Sequence, residues 1–226
     1  MVLHPLRLEL TNVDPGAVSV LEAPDFPRAP GAGSHPLPLT NVVYIDEADF
    51  REVDAHDYFG LAPGKVAGLR YAGYVRVTEV LRDGAGRVAG LRGLYDAARS
   101  ADFAGGGAVK GNLHWVSGAA PGAEPPAVEL RLYDHLFTTA APGSTGDWEA
   151  ELNPASEVVL RGARAAPYLL DAAAAKGGAR HFQFERVGFF VLDPDTRAAE
   201  GKLVFNSVVG LKERTETKKA RGGDAN

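Results

Sequence analysis

The chain has 226 residues, enough for one large domain or two small ones, and its 45% hydrophobic and 23% charged composition is that of an ordinary globular protein. No stretch approaches the roughly 18 apolar residues of a membrane span, no basic-then-apolar segment marks a signal peptide, and the absence of cysteine excludes a disulfide framework or thiolate metal site. A formal charge of −5 weighs against nucleic-acid binding, which uses Lys and Arg to neutralise phosphates, but a local basic face suffices for it.

Along the chain, Leu6, Leu8 and Leu10 alternate with Arg7 and Glu9, the period-two pattern of a half-buried strand. Residues 46–53 are predicted to form a short helix opened by an acidic cap. YVRVTEVL (74–81) alternates too, meets Asp83-Gly84 and Gly86, and is followed by another strand-like run at 88–95; together they predict a hairpin. The Ala/Gly-rich residues 97–108 are the best boundary candidate. LHWVS (113–117) and VELRLYDHLF (128–137) are predicted as a second hairpin-like pair, joined by a Gly/Pro-rich loop that cannot readily continue a ladder.

Residues 167–176 open with proline, contain LLDAAAAK and stop at Gly177-Gly178, which predicts a helix. FQFERVGFFVLD (182–193) reads as one strand carrying Gln183 and Arg186, separated from a last strand, KLVFNSVVGLK (202–212), by the turn-forming Asp193-Pro194-Asp195. From Arg214 the chain is polar and poor in apolar residues, predicting a disordered tail or a linker. Many short strands with Gly/Pro turns and few short helices predict an all-β fold built from barrels rather than a parallel sheet with crossovers.

Motifs for chemistry are scarce. The six histidines, at 4, 35, 56, 114, 135 and 181, form no metal-ligand spacing. Asp134-His135 would point to opposite faces of a strand, and no serine sits in a GxSxG elbow. Lys110 precedes the last glycine of residues 105–111, the wrong order for a P-loop. Gln183 and Arg186 are the exception. Gln both donates and accepts, Arg offers a rigid fork of donors, and such a pair can read the Watson–Crick edge of an unstacked base. The same pair also fits an ordinary half-exposed strand. Arg161, Arg164, Lys176, Arg180 and Arg186 form a basic stretch that is either an RNA-facing surface or simply a solvated one.

Read in order, HPLRLEL (4–10), IDEADFRE (45–52), VKGNLHWVS (109–117), VELRLYDHLF (128–137), LNPAS (152–156), QFERVGFF (183–190) and GKLVFNSVVGLK (201–212) resemble the C-terminal, anticodon-binding half of bacterial glutaminyl-tRNA synthetases. The resemblance covers nearly the whole chain, to about Glu213. It implies two consecutive β-barrels: a proximal one over residues 1–108, completed by a strand near 201–213, and a distal one over 109–200. Residues 214–226 would be a tail or a linker. The implied function is recognition of the tRNA-Gln anticodon within an enzyme that ligates glutamine to tRNA with ATP. The HIGH-like and KMSKS-like signatures of class I catalytic domains do not occur here. The chain alone is therefore expected to be non-catalytic and without a cofactor, with ATP and magnesium confined to a catalytic domain outside it. A start just inside the homologous region suggests a fragment of a longer polypeptide.

The resemblance further implies that Gln183 and Arg186 hydrogen-bond the central uridine and that Arg70 meets the first anticodon base. Arg28, Lys65, Tyr71 and Lys110 are additional candidate RNA contacts. Departures from the family pattern are Phe59 and Gly60 in place of a basic pair tied to the third base, Gly68 in place of an arginine, and Ser207 in place of another. They leave third-base reading open and imply weaker affinity. The expected partners are the tRNA-Gln anticodon loop and the catalytic domain of the same synthetase, in a cytoplasmic monomer without membrane contact. Two other readings stay open: a module of the related glutamyl-tRNA synthetases, and a β-barrel interaction domain that no longer binds RNA.

Overall fold

A computed structural model describes residues 1–211 apart from Pro30 and Thr145. Its strands are β1 (Pro5–Leu10), β2 (Ser19–Pro24), β3 (Ser34–Leu39), β4 (Val42–Asp46), β5 (Val66–Leu69), β6 (Tyr74–Arg82), β7 (Val88–Asp96), β8 (Asn112–Leu113), β9 (Trp115–Ser117), β10 (Ala127–Tyr133), β11 (Glu157–Arg164), β12 (His181–Phe184), β13 (Gly188–Leu192) and β14 (Leu203–Gly210). One α-helix, α1 (Tyr168–Ala174), lies between β11 and β12. The fold is all-β, as the strand patterning predicts.

The first sheet runs β8-β5-β6-β7-β1-β4-β9. Its two edge strands are consecutive in sequence, separated only by His114, so residues 112–117 pair with β5 on one side and β4 on the other. One short segment thus nearly closes the sheet into a barrel, which removes exposed edge groups. Inside, Leu8, Leu10, Val43, Ile45, Leu69, Leu91, Leu113 and Trp115 are buried. The β6–β7 hairpin forms as predicted: the Asp83 carboxylate accepts hydrogen bonds from the Ala85 and Arg87 N–H groups, and Gly86 takes a positive φ. Register shifts in this pair bend it around the barrel.

The second sheet runs β11-β10-β14-β13-β12. Its core holds Val128, Leu130, Leu169, Leu203 and an aromatic group in which Phe182 and Phe184 meet the Phe205 ring edge-on at 5.4 and 5.3 Å. The two cores are joined through the N-terminal segment. Met1 packs in the second core, Val2 exchanges backbone hydrogen bonds with Arg164 of β11, and Leu6, Leu8 and Leu10 enter the first core.

Four expectations need correcting. The helix at 46–53 is only a 3₁₀ turn, Glu47–Asp49, capped by Asp46; the backbone of Arg51 then bonds Leu61, which returns the chain to an extended path. LHWVS does not pair with VELRLYDHLF. Buried Trp115 and Val116 hold β9 on β4, while β10 pairs with β11 and β14. Residues 182–193 are a hairpin rather than one strand: Phe184 pairs with Gly188, and the Phe184 and Phe190 rings lie 5.1 Å apart, whereas six residues of one extended strand would hold them roughly 20 Å apart. The strand near 201–213 does not complete the first barrel: the buried run Leu203, Val204 and Phe205 places β14 between β10 and β13. The expected helix after Pro167 is present as α1 and stops before Gly177, at φ 72°. The tail expected over 214–226 lies outside the described residues.

Leu130 is fully buried and Leu136 is 57% exposed. Leu130→Ala is expected to cost about 2–5 kcal/mol through lost burial and a residual cavity. Leu136→Ala should stay within about 0.5 kcal/mol. Urea unfolding of both variants checks the assigned core.

Candidate nucleic-acid interface

The sequence-predicted readers converge on the turn between β12 and β13. Pairing of Phe184 with Gly188 leaves Glu185, Arg186 and Val187 to reverse the chain, and Arg186 adopts φ 66°. That left-handed conformation is uncommon for a residue with a Cβ and costs on the order of 1–3 kcal/mol. Gly188 is required on steric grounds, since a Cβ there would lie 2.7 Å from the Val209 carbonyl oxygen.

Two crossed ion pairs join this turn to the first sheet. Arg186 Nη1 and Nη2 each donate to a carboxylate oxygen of Asp49 at 2.8 Å. Asp49 sits on the 3₁₀ turn with its side chain only 9% exposed. In the opposite sense, Glu185 accepts from Arg70 Nη2 at 2.7 Å, lies 2.6 Å from Arg70 Nε, and accepts from the Tyr71 hydroxyl at 3.2 Å. The Arg70 guanidinium also lies 4.7 Å from the Tyr71 ring centroid, within cation–π range.

Backbone contacts fix Arg70. Its N–H donates to the Leu113 carbonyl, and its own carbonyl accepts the Trp115 indole N–H, both at 2.9 Å. The residues that close the barrel therefore also aim this arginine. Tyr71 follows in a turn with φ 63°.

The electrostatics are those of two ion pairs, in one of which Arg70 Nε is buried beside Glu185 without a hydrogen-bond partner. Hydrogen bonding to Asp49 raises the pKa of Arg186, and hydrogen bonding to Glu185 raises that of Arg70. His114 is pushed well below its ordinary value by burial first, then by the positive charges of the amino terminus, Arg186 and Arg70. The Met1 amino group, 2.5 Å from His114 Nε2, is lowered to about 5 by burial.

Gln183 is exposed on β12 opposite Phe189, which is itself 42% exposed. Among the described residues, Gln183 has no hydrogen-bond partner in its side chain. A free amide, an exposed ring and a guanidinium with three unspent N–H groups thus share one hairpin. This can hydrogen-bond and stack on an unpaired base. Asp49, Glu185 and Phe189 were not among the sequence-predicted residues. The acid beside the arginine in QFER was the available signal for Glu185; nothing local pointed to Asp49.

The remaining predicted contacts fall elsewhere. Lys65 lies 2.5 Å from both Asp54 Oδ1 and the Tyr58 carbonyl. With Lys110, His56, Tyr58, Phe59 and Arg76 it lines a cleft of about 430 Å³. Phe59 is 53% exposed there. Gly60 has a structural reason: a Cβ would sit 2.5 Å from the Asp49 carbonyl oxygen. Ser207 accepts the Tyr133 N–H and so ties β14 to β10. Arg28 is exposed in the loop of the separate β2–β3 ribbon. The basic stretch is not one face: Arg161 pairs with Glu129, Arg164 binds the Pro125 carbonyl, and Arg180 binds the Leu192 carbonyl. Only Arg186 reaches the turn.

Residues 1–96 match the family model described as tRNA synthetases class I (E and Q), anti-codon binding domain, and residues 112–193 match a second model of the same description. The chain is 40% identical over 217 residues to a glutamine–tRNA ligase of Lupinus luteus, covering 94% of this chain and 26% of that protein. It is 38% identical over 218 residues to the cytoplasmic glutamine–tRNA ligase of Arabidopsis thaliana, again with 94% and 26% covered. For the glutamine–tRNA ligase of Salmonella newport the identity is 39% over 213 residues, with 94% and 37% covered. The chain spans about a quarter to a third of these relatives.

Because His114 and the Met1 amino group stay neutral when folded, the unfolded chain binds more protons below the ordinary values of 6.5 and 8.0. Stability is then greatest above that window and falls as pH drops from 8 towards 5. Urea midpoints across this range should decline, and His114→Gln should flatten the part below pH 6.5. A midpoint independent of pH there would contradict the buried neutral imidazole.

Proposed function

This chain belongs to the anticodon-binding domains of the class I tRNA synthetases for glutamate and glutamine, and from that premise we propose that it reads the anticodon loop of a glutamine tRNA within a glutamine–tRNA ligase. The observation that carries the reading is the β12–β13 hairpin, where Gln183, exposed on β12, lies three residues before an Arg186 already anchored by Asp49. A splayed uridine presents carbonyl acceptors and an N–H donor, which a glutamine amide and an arginine N–H can meet together. Cytidine reverses part of that pattern and leaves groups unpaired, at about 1–3 kcal/mol for each buried one.

In this reading Gln183 and Arg186 meet the central base. Arg70 and Tyr71, linked to them through Glu185, face the first base. The cleft between Phe59, Lys65 and Lys110 takes the third nucleotide, with Phe59 as a stacking surface and the lysines on phosphate. Arg28 adds a peripheral phosphate contact. Glutamine activation, ATP and magnesium belong to the catalytic domain of the ligase, and this chain contributes binding as part of a cytoplasmic monomer. Among the described residues there is no group of three or more His, Cys, Asp and Glu suited to a metal ion, and no helix is long and apolar enough to cross a membrane.

Binding of anticodon stem-loops carrying uridine or cytidine at the centre tests the proposal. The wild-type chain should prefer uridine by about tenfold to a hundredfold, the equivalent of one or two hydrogen bonds to a charged or buried group. Gln183→Ala should remove most of that preference with an unchanged urea midpoint, because the side chain is exposed and unbonded. Equal binding of the two RNAs by the wild-type chain would overturn the reading.

A further inference from the structure

Arg186 spends two N–H groups on Asp49 and keeps three, whereas Arg70 donates to Glu185 through Nη2 and holds its buried Nε 2.6 Å from the same carboxylate without a hydrogen bond. Their acids come from opposite sides of the junction: Asp49 from the first sheet holds Arg186, and Glu185 from the second holds Arg70. The four charges sum to zero, so the cluster offers a phosphate backbone little net attraction. What it does offer is direction. Arg186 is 52% exposed, yet its guanidinium is fixed at one end by a carboxylate that is 9% exposed and itself held on a short 3₁₀ turn.

We infer that Asp49 and Glu185 are positioning residues for base reading: they hold the guanidinium planes of Arg186 and Arg70 in the orientation in which their free N–H groups meet a base edge. The inference rests on the anticodon-reading function proposed above. A free arginine would be a mobile cation that prefers phosphate to any particular base. A paired one has lost its rotamer freedom during folding, so ordering it on RNA carries no further entropic cost. The acids also remove the charge that would favour backbone contacts, which carry no sequence information. Arg186 in a left-handed turn is consistent with this, since the two hydrogen bonds to Asp49 secure a conformation its own backbone disfavours.

The test uses the full chain over a salt series, reading Asp49→Asn on the uridine and cytidine stem-loops and Glu185→Gln on stem-loops that differ at the first anticodon base. Positioning predicts a split. Binding to both RNAs at low salt should hold or rise, with a salt slope steeper by about 0.7 for the cation released from its acid. The preference at the base met by the released arginine, central for Asp49→Asn and first for Glu185→Gln, should fall about tenfold, the loss of one well-placed charged hydrogen bond. Retained preference with higher affinity would mean that the acids merely mask the arginines and would overturn the inference. A parallel loss of affinity for both RNAs, tracking a lower urea midpoint, would reduce the acids to clamps between the sheets and overturn it too. If Asp49→Asn does not fold, Glu185→Gln decides, since that side chain is 30% exposed. A wild-type chain without uridine preference would instead remove the underlying function, and the inference with it.

Discussion

Barrel closure by residues 112–117 is the constraint on which the rest of the molecule depends. An open twisted sheet leaves two edges of unpaired backbone groups unless it closes or is covered. Here one segment satisfies both edges, with Leu113 and Trp115 turned into the core on either side of His114. The same residues grip Arg70 through its backbone N–H and carbonyl. Closure, core packing and the orientation of Arg70 are thus a single local event. Through Glu185 the aim of Arg70 is transmitted to the second sheet, and through Arg186 it returns to Asp49.

Much of the local architecture is legible in the sequence because it depends on near neighbours. Alternating leucines fix β1, and Asp83 with Gly86 fixes the β6–β7 turn. Strand partners are a different matter. Period-two patterning states that one face is buried, not which strand lies alongside, so LHWVS was as consistent with pairing to β10 as with the closing role it has. The hairpin at 182–193 was hidden for a related reason: its turn carries Arg186 at positive φ rather than a glycine or asparagine.

The site was half legible. Gln183, Arg186, Arg70 and Tyr71 are brought to one junction, while Lys65 and Lys110 line a separate cleft. Asp49 was missed because an ion pair over 137 residues of sequence leaves no local trace, while Glu185, 115 residues from Arg70, was signalled only by its place in QFER. They also bear on the net charge of −5. On the proposed reading, an acidic protein needs no broad basic field if its reading cations are few, oriented and locally neutralised. That arrangement trades attraction at a distance for discrimination on contact.

The N-terminal segment joins both cores, and this has a consequence for the order in which the molecule can assemble. Val2 is hydrogen-bonded to Arg164, β1 lies parallel to β7 in the middle of the first sheet, and β10 lies parallel to β14. Contacts so distant along the chain carry a large loop-closure entropy and form slowly. Whatever precedes residue 1, the segment around Val2 lacks its partner until Arg164 of β11 has been made. Met1 and Val2, buried in the finished fold, have no cover from β11 until then.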